Sequence, residues 1–205
     1  MKFEGVDNLT YPGTTVNNKN LITEEVQKRI MNVNRAYFAN TKILKSKLIT
    51  SKTKIKIYKT LIRPVATDGA EAWTLSVKDA TRFRIFERKI VRRMYGAVRE
   101  EDGFRRRNQK EINELLEGEV IVRFIKAQRL RWLGYVMRRS QTRTPHAVYK
   151  TKMEGRRKSG RPRSRWSDET ESDIRALRVS NWRDKVQNRE CWRGIVREAK
   201  AHPAL

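Results

Sequence analysis

The stretch Val77–Tyr95, with the sequence VKDATRFRIFERKIVRRMY, decides the fold class of this chain. Its large apolar residues recur every three or four positions, which is the spacing of one face of an α-helix. Those residues are Phe83, Phe86, Ile90 and Met94. Gly96 follows directly, and glycine often ends a helix in the left-handed conformation. Because most of its charged residues are basic, the stretch predicts a helix with one buried face and one cationic face.

The same helical period appears on both sides of this stretch. Further helices are predicted from Thr23 to Leu48, from Thr50 or Ser51 to Pro64, from Asn108 to near Gly118, and over 120–139, with two more opening at Ser167 and near Ser180. Pro64 is expected to kink or end the second of these helices. The segment Tyr11–Val16 combines β-formers with a Pro-Gly turn, which predicts one hairpin. We therefore predict a mainly α fold: a short N-terminal β-hairpin followed by about seven amphipathic helices with a basic extended linker.

The charge of the chain indicates its class of partner. Its 205 residues include 48 Lys and Arg against 23 Asp and Glu, a formal net charge of +25. Such an excess favours nucleic acid over an anionic membrane or an acidic protein. One Cys and two His cannot supply a disulfide framework or a structural zinc site. No apolar run approaches a membrane span of about 20 residues. We expect an intracellular protein, in nucleus and cytoplasm, with no membrane partner.

The densest basic segment is 138–165, which holds eleven Lys or Arg residues against Glu154 alone. Its Gly and Pro residues predict a mostly extended linker that could follow phosphates, and a solvated linker is the alternative. Gly160-Arg161-Pro162 also has the form of an AT-hook core, which enters the minor groove of A·T-rich DNA. Cations on the helices 77–95 and 120–139 could neutralise duplex phosphates in the same way.

The predicted nucleic-acid-binding residues combine these cations with one aromatic side chain. They are Arg88, Arg92, Arg93, Arg129, Arg131, Arg138, Arg139, Arg156, Arg157, Lys158, Arg161, Arg163, Arg165 and Trp166. Trp132, Trp182 and Trp192 lie at helical spacings that are typical of a core. Trp166 has no such period, so we predict that it is exposed and can stack on an unpaired base.

Two acidic groups are candidates for metal ligands, Glu100–Asp102 and the set Asp168, Glu169, Glu171 and Asp173. The second group opens a predicted helix, where carboxylates are favoured by the helix dipole, so a structural role is the better interpretation. The sequence contains no GxxxxGK[ST], GxSxG or HExxH motif. We therefore expect no catalytic residue, no metal site and no cofactor in the isolated chain.

Read as strings, six segments resemble one family in their order and spacing. The segments are Lys2–Asn17, Tyr58–Val65, Phe86–Gly96, Gln128–Val136, Gly160–Trp166, and Asn181-Trp182-Arg183 with Trp192-Arg193. Together they resemble the C-terminal part of the endonuclease-reverse transcriptase polyprotein of non-LTR (LINE-type) retrotransposons. The resemblance covers nearly the whole chain.

This resemblance implies an origin in an RNA-directed DNA polymerase that uses Mg²⁺. Tyr11 and Gly13 would belong to a strand near the primer grip, and the catalytic aspartates of the palm would lie upstream. The implied partners are an RNA template, an RNA/DNA hybrid or DNA, together with the upstream palm, fingers and endonuclease parts. The chain departs from the family pattern at Pro12, Asp68 and Tyr135, and it lacks the cysteine-rich knuckle of many relatives.

These observations define five segments and one function. The segments are a primer-grip-like strand remnant (1–20), a thumb-like helical region (21–98), a basic helical region (99–139), a basic Arg/Gly/Pro linker (140–166) and a C-terminal helical pair (167–205). We expect a non-catalytic fragment of a retrotransposon reverse transcriptase that binds RNA/DNA or DNA duplex through phosphates. The alternative is a host-retained helical DNA-binding or scaffold protein that is anchored by the Arg-rich segment around Gly160-Arg161-Pro162.

Overall fold

The computed structural model describes residues 8–11, 14–17, 22–151 and 164–205. The predicted mainly α fold with a short N-terminal hairpin is confirmed, since most of the described residues are helical. In chain order the elements are β1 (Asn8–Tyr11), β2 (Thr14–Asn17), α1 (Ile22–Ala39), α2 (Thr41–Lys45), α3 (Ser51–Ile57), a π-helical stretch (Tyr58–Ile62), α4 (Arg63–Thr67), a 3-10 turn (Ala70–Ala72), α5 (Val77–Tyr95), β3 (Val98–Glu100), β4 (Gly103–Arg105), α6 (Gln109–Leu115), α7 (Ile121–Met137), α8 (Thr144–Lys150), α9 (Trp166–Ala176), α10 (Trp182–Lys185) and α11 (Arg189–Ala199).

The chain divides into two compact units. The first unit contains residues 1–69 and 75–117, and the second contains residues 70–74 and 118–205. The short segment 70–74 belongs to the second unit because the backbone carbonyl of Trp73 accepts a hydrogen bond from Arg129 of α7, at 3.2 Å.

Helix α5 is central to the first unit, where it packs against α1, α2 and α6. The four apolar residues that predicted this helix are all buried. The backbone N–H of Asp79 donates to the Ser76 hydroxyl at 3.1 Å, which caps the start of the helix. Gly96 ends it with a positive φ of 69°, a conformation that favours glycine.

The long helix predicted from Thr23 to Leu48 is broken into α1 and α2. At the break, the Asn40 amide donates to the Ala36 carbonyl at 2.8 Å, and the Thr41 hydroxyl donates to the Tyr37 carbonyl at 3.0 Å. Side chains that bond to the backbone of the preceding turn compete with a continuous helical ladder. Pro64, in contrast, does not end the helical stretch. A wider π-helical turn, Tyr58–Ile62, precedes it, and Pro64 lies in the first turn of α4, which continues to Thr67.

The second unit is built around α7, which contacts the 70–72 turn, α8, α9 and α11. Its core consists of buried apolar residues from α7, α9, α11 and the C-terminus. They are Ala127, Leu130, Leu133, Ile174, Leu177, Val186, Trp192, Val196, Ala199 and Leu205. The indole N–H of Trp192 donates to the Leu130 carbonyl at 2.9 Å. Gly134 makes this close approach possible. A Cβ there would lie less than 3.0 Å from the Trp192 ring, which is closer than Cβ atoms come to other heavy atoms.

Several local predictions in the second half of the chain need correction. Between the helices predicted over 77–95 and from Asn108, the chain forms the antiparallel hairpin β3–β4. Residues 144–150 of the predicted extended linker form the helix α8, and residues 152–163 lie outside the described residues. The last predicted helix is split into α10 and α11, since the Asn188 side chain accepts from two backbone N–H groups and starts a new helix.

Candidate nucleic-acid interface

The two acidic residues of α5 point inward, so they do not offset the charge of its outer face. Asp79 and Glu87 are each 2% exposed. The Asp79 carboxylate accepts from the Ser76 hydroxyl at 2.7 Å and from the Arg82 guanidinium at 2.8 Å. The Glu87 carboxylate accepts from the buried Tyr58 hydroxyl at 2.8 Å. The solvent side of α5 is therefore cationic along its whole length.

The predicted residues of α5 have different environments. Its exposed cations are Lys78, Arg84, Lys89 and Arg93, with Arg88 half-buried. The Arg93 guanidinium lies over two rings, 5.7 Å from the centroid of Phe38 and 5.9 Å from that of Tyr37. Arg92 is half-buried and donates twice to the Arg107 carbonyl, at 3.0 and 2.8 Å. Arg92 is thus engaged within the protein, whereas Arg88 and Arg93 lie on the cationic face.

Arg129 of α7 was assigned to the basic face from the sequence, and the structure corrects this assignment. The residue is 2% exposed. Its guanidinium forms ion pairs with Glu169 and Asp173 of α9, and Asp173 also pairs with Lys126 at 3.0 Å. Burial raises the pKa of Glu169, and the nearby Arg129 opposes that shift. Arg129 thus joins two helices of the second unit and does not face phosphates.

The other predicted cations of α7 also divide into two groups. Arg131 and Arg139 are exposed. Arg138 is half-buried and donates to the Val186 carbonyl at 2.8 Å. Burial lowers the pKa of the Arg138 guanidinium, and Arg189 adds to the effect. Arg138 therefore fixes the end of α7. Arg131 is exposed on the outer face of the helix, and Arg139 is exposed two residues after its last residue, Met137.

That outer face also carries an aromatic pair that the sequence analysis did not identify. The rings of Trp132 and Tyr135 stack with centroids 4.8 Å apart and planes 16° from parallel. The Arg139 guanidinium lies 4.3 Å from the Tyr135 ring centroid. Both aromatic residues are 38% exposed, so the expectation that Trp132 belongs to the core is wrong. The sequence does contain a signal for this pair. Trp132 and Tyr135 are one turn apart on a helix without Asp or Glu, and Arg139 follows one turn later, just beyond the end of the helix.

The predicted stacking residue Trp166 is partly buried instead of exposed. Its indole N–H donates to the Glu71 carbonyl at 2.8 Å, and its ring meets Tyr149 edge to face at 6.2 Å. Arg165 is exposed at the start of α9. Arg156, Arg157, Lys158, Arg161 and Arg163 lie outside the described residues, as does Gly13, and Tyr11 is described as part of the β1 backbone.

Several of the acidic residues considered as metal ligands form ion pairs. Glu100 pairs with Arg105, and Glu171 pairs with Arg183 at 3.2 Å. Within residues 8–11, 14–17, 22–151 and 164–205, no group of three or more His, Cys, Asp or Glu is placed to hold a metal ion. In the same residues, no helix has the length and apolar character of a membrane span.

The geometry describes a basic, mainly helical protein with a cationic helix face in each unit. Comparison with known proteins adds one relationship: the chain is 23% identical over 202 residues to a Caenorhabditis elegans protein named as an uncharacterized transposon-derived protein. The alignment covers 96% of this chain and 72% of that protein. This relationship supports a transposon origin. No protein-family model matches the sequence, and no solved structure matches it.

Proposed function

We propose that this chain is a non-catalytic C-terminal part of a non-LTR retrotransposon reverse transcriptase, acting within the cell in nucleus and cytoplasm. Its task is to bind an RNA/DNA hybrid or a DNA duplex through phosphate contacts. The polymerase chemistry, with its Mg²⁺ ions, belongs to the parent polyprotein. The transposon-derived relative, aligned along nearly the whole chain, supports this origin.

The observation that carries the binding proposal is the one-sided charge of α5. Its basic side chains face solvent over the distance from Lys78 to Arg93, about 22 Å at 1.5 Å per residue. Its two carboxylates are turned into the core of the first unit. A helix surface of this length can approach several phosphates of one strand, whose charges are about 3.4 Å apart along the axis. Without acidic neighbours on the face, each contact gains affinity by releasing counterions.

The test is the salt dependence of binding by the full chain to matched RNA/DNA hybrid and DNA duplex. Replacing Arg84, Arg88 and Lys89 with Gln removes three adjacent charges of α5. Each phosphate contact contributes about 0.9 to the slope of log K against log salt, so we expect the slope to flatten by about two to three units. Tighter binding to the hybrid than to the duplex supports the reverse transcriptase origin.

A matched variant controls for net charge. Lys42, Lys45 and Lys47 are exposed cations around α2 in the same unit, and their replacement with Gln removes the same three charges. We expect this variant to retain most of the slope. If both variants lose slope equally, binding follows total charge and the α5 face has no special role. If A·T-rich duplex is preferred over the hybrid, the host-retained DNA-binding protein anchored at Gly160-Arg161-Pro162 becomes the better proposal.

A further inference from the structure

We infer that the outer face of α7 is a stacking site for the unpaired bases of single-stranded nucleic acid, formed by Trp132, Tyr135 and Arg139. The inference rests on the proposed nucleic-acid function and deepens it, because phosphate contacts alone do not distinguish a single strand from a duplex. Trp132 and Tyr135 lie one helical turn apart on α7, and Arg139 follows two residues after the last residue of the helix. They form a ladder in which the indole and the phenol ring stack nearly face to face and the guanidinium lies over the phenol ring.

The ladder is pre-formed and held on a rigid support. The opposite side of α7 is fixed by Leu130 and Leu133 in the core, and by Gly134 against Trp192. The end of the helix is held by the hydrogen bond from Arg138 to the Val186 carbonyl. The rings therefore keep their geometry without a ligand, and little ordering cost remains when a planar base is added.

The ligand class follows from exposure and charge. Two large rings remain 38% exposed although α7 offers a buried side that accepts apolar residues. Base–aromatic stacking is favourable for every base, whereas the faces of bases in a duplex are already stacked on each other. Arg131 and Arg139 are exposed beside the rings, and α7 contains no acidic residue. An apolar protein partner would gain nothing from these cations, but the phosphates that flank a stacked base would.

The contacts within the ladder set the size of the site. The Trp132 and Tyr135 rings are 4.8 Å apart and the Arg139 guanidinium lies over Tyr135, so no base fits between these groups. The site therefore takes one base on the free face of the Trp132 indole, with its flanking phosphates near Arg131 and Arg139. Stacking needs no particular base, and we therefore expect a site that is tolerant of sequence.

The experiment compares binding of the full chain to a single-stranded 12-mer of dT, to an abasic 12-mer with the same phosphates, and to a 12-mer duplex. The variant with Trp132→Ala and Tyr135→Ala should bind the dT strand at least about fivefold more weakly, the effect of losing one stacked base. Its binding to the abasic strand and the duplex should change less than about twofold, because phosphate contacts are unaffected. Tyr135→Phe keeps the ring stack and should bind like the wild type.

Two controls keep the result interpretable. Phe104→Ala removes an aromatic side chain that is 81% exposed on the β3–β4 hairpin, and it should leave every affinity unchanged. Circular dichroism shows whether each variant has kept its helical content. If the wild type binds dT and abasic strands equally, or if the double variant weakens all three ligands alike, the stacking site is refuted while the proposed function stands. If the wild type binds no nucleic acid at low salt, both proposals fail.

Discussion

The substitution Gly134→Ala probes the close packing between α7 and α11 in the second unit. An alanine Cβ at this position would lie within 3.0 Å of Trp192 Nε1, so the indole must move. That nitrogen donates to the Leu130 carbonyl, and the hydrogen bond is lost or weakened when the ring shifts. The substitution thus introduces one steric conflict and disturbs one buried hydrogen bond.

The magnitude follows from three opposing contributions to the free energy of unfolding. Overpacking a core costs about 1–3 kcal/mol, and loss of the hydrogen bond costs about 0.5–1.5 kcal/mol. Alanine gains about 1 kcal/mol over glycine inside a helix. We therefore expect a net loss of about 0.5–3.5 kcal/mol. Urea unfolding followed by circular dichroism measures this loss as a lower midpoint at constant slope.

Gly194 provides the matched control in the same unit. It lies inside α11, and a Cβ there meets nothing within 4 Å. Gly194→Ala should therefore stabilise the protein by up to about 1 kcal/mol. In a Trp192→Phe background, where the smaller ring leaves room, Gly134→Ala should be neutral or stabilising. A single Gly134→Ala variant as stable as the wild type would refute the packing argument.

Two further predictions concern buried polar groups. Arg129→Ala should lower the free energy of unfolding by about 3 kcal/mol in urea, because the buried carboxylate of Asp173 and the partly buried carboxylate of Glu169 lose the guanidinium between them. A loss below about 1 kcal/mol would contradict this. Tyr58→Phe removes the hydrogen bond to Glu87 and should cost about 1.5–3 kcal/mol at neutral pH. Burial and the nearby Glu87 raise the pKa of Tyr58 well above its usual value. The folded state therefore favours the neutral phenol, and the wild type should lose stability as the pH rises above about 10, the pKa of tyrosine in the unfolded chain. The Phe variant should show a flatter dependence in that range, and an identical alkaline profile would count against the assignment.

The sequence identified elements wherever one stripe of apolar residues was enough to define a buried face. Val77–Tyr95 is an example, because its four apolar residues predict one helix and Gly96 predicts where that helix ends. The start of α6 is a second example. The helix was predicted from Asn108, and there Asn108 and Glu111 form a capping box in which each side chain accepts from the other residue's backbone N–H. Both features depend on residues within a few positions of each other.

Predictions failed where burial depends on distant partners or on a wide buried face. Arg129 looked like a surface cation because its carboxylate partners are 40 and 44 residues away in the sequence. Trp132 was placed in the core because α7 is buried over much of its circumference, so several apolar stripes fitted the pattern equally well. Gly134 marks the true contact side, since a glycine inside a helix often permits close approach of a neighbouring chain.

The path of the chain limits how this protein can be shortened. Because residues 70–74 complete the second unit, a fragment that starts at Gly118 would lack the Trp73 carbonyl that accepts from Arg129 and the Glu71 carbonyl that accepts from Trp166. A single cut therefore cannot release the second unit intact. A copy of the sequence that begins after residue 74 would therefore lack part of the second unit, even though residues 118–205 are all present.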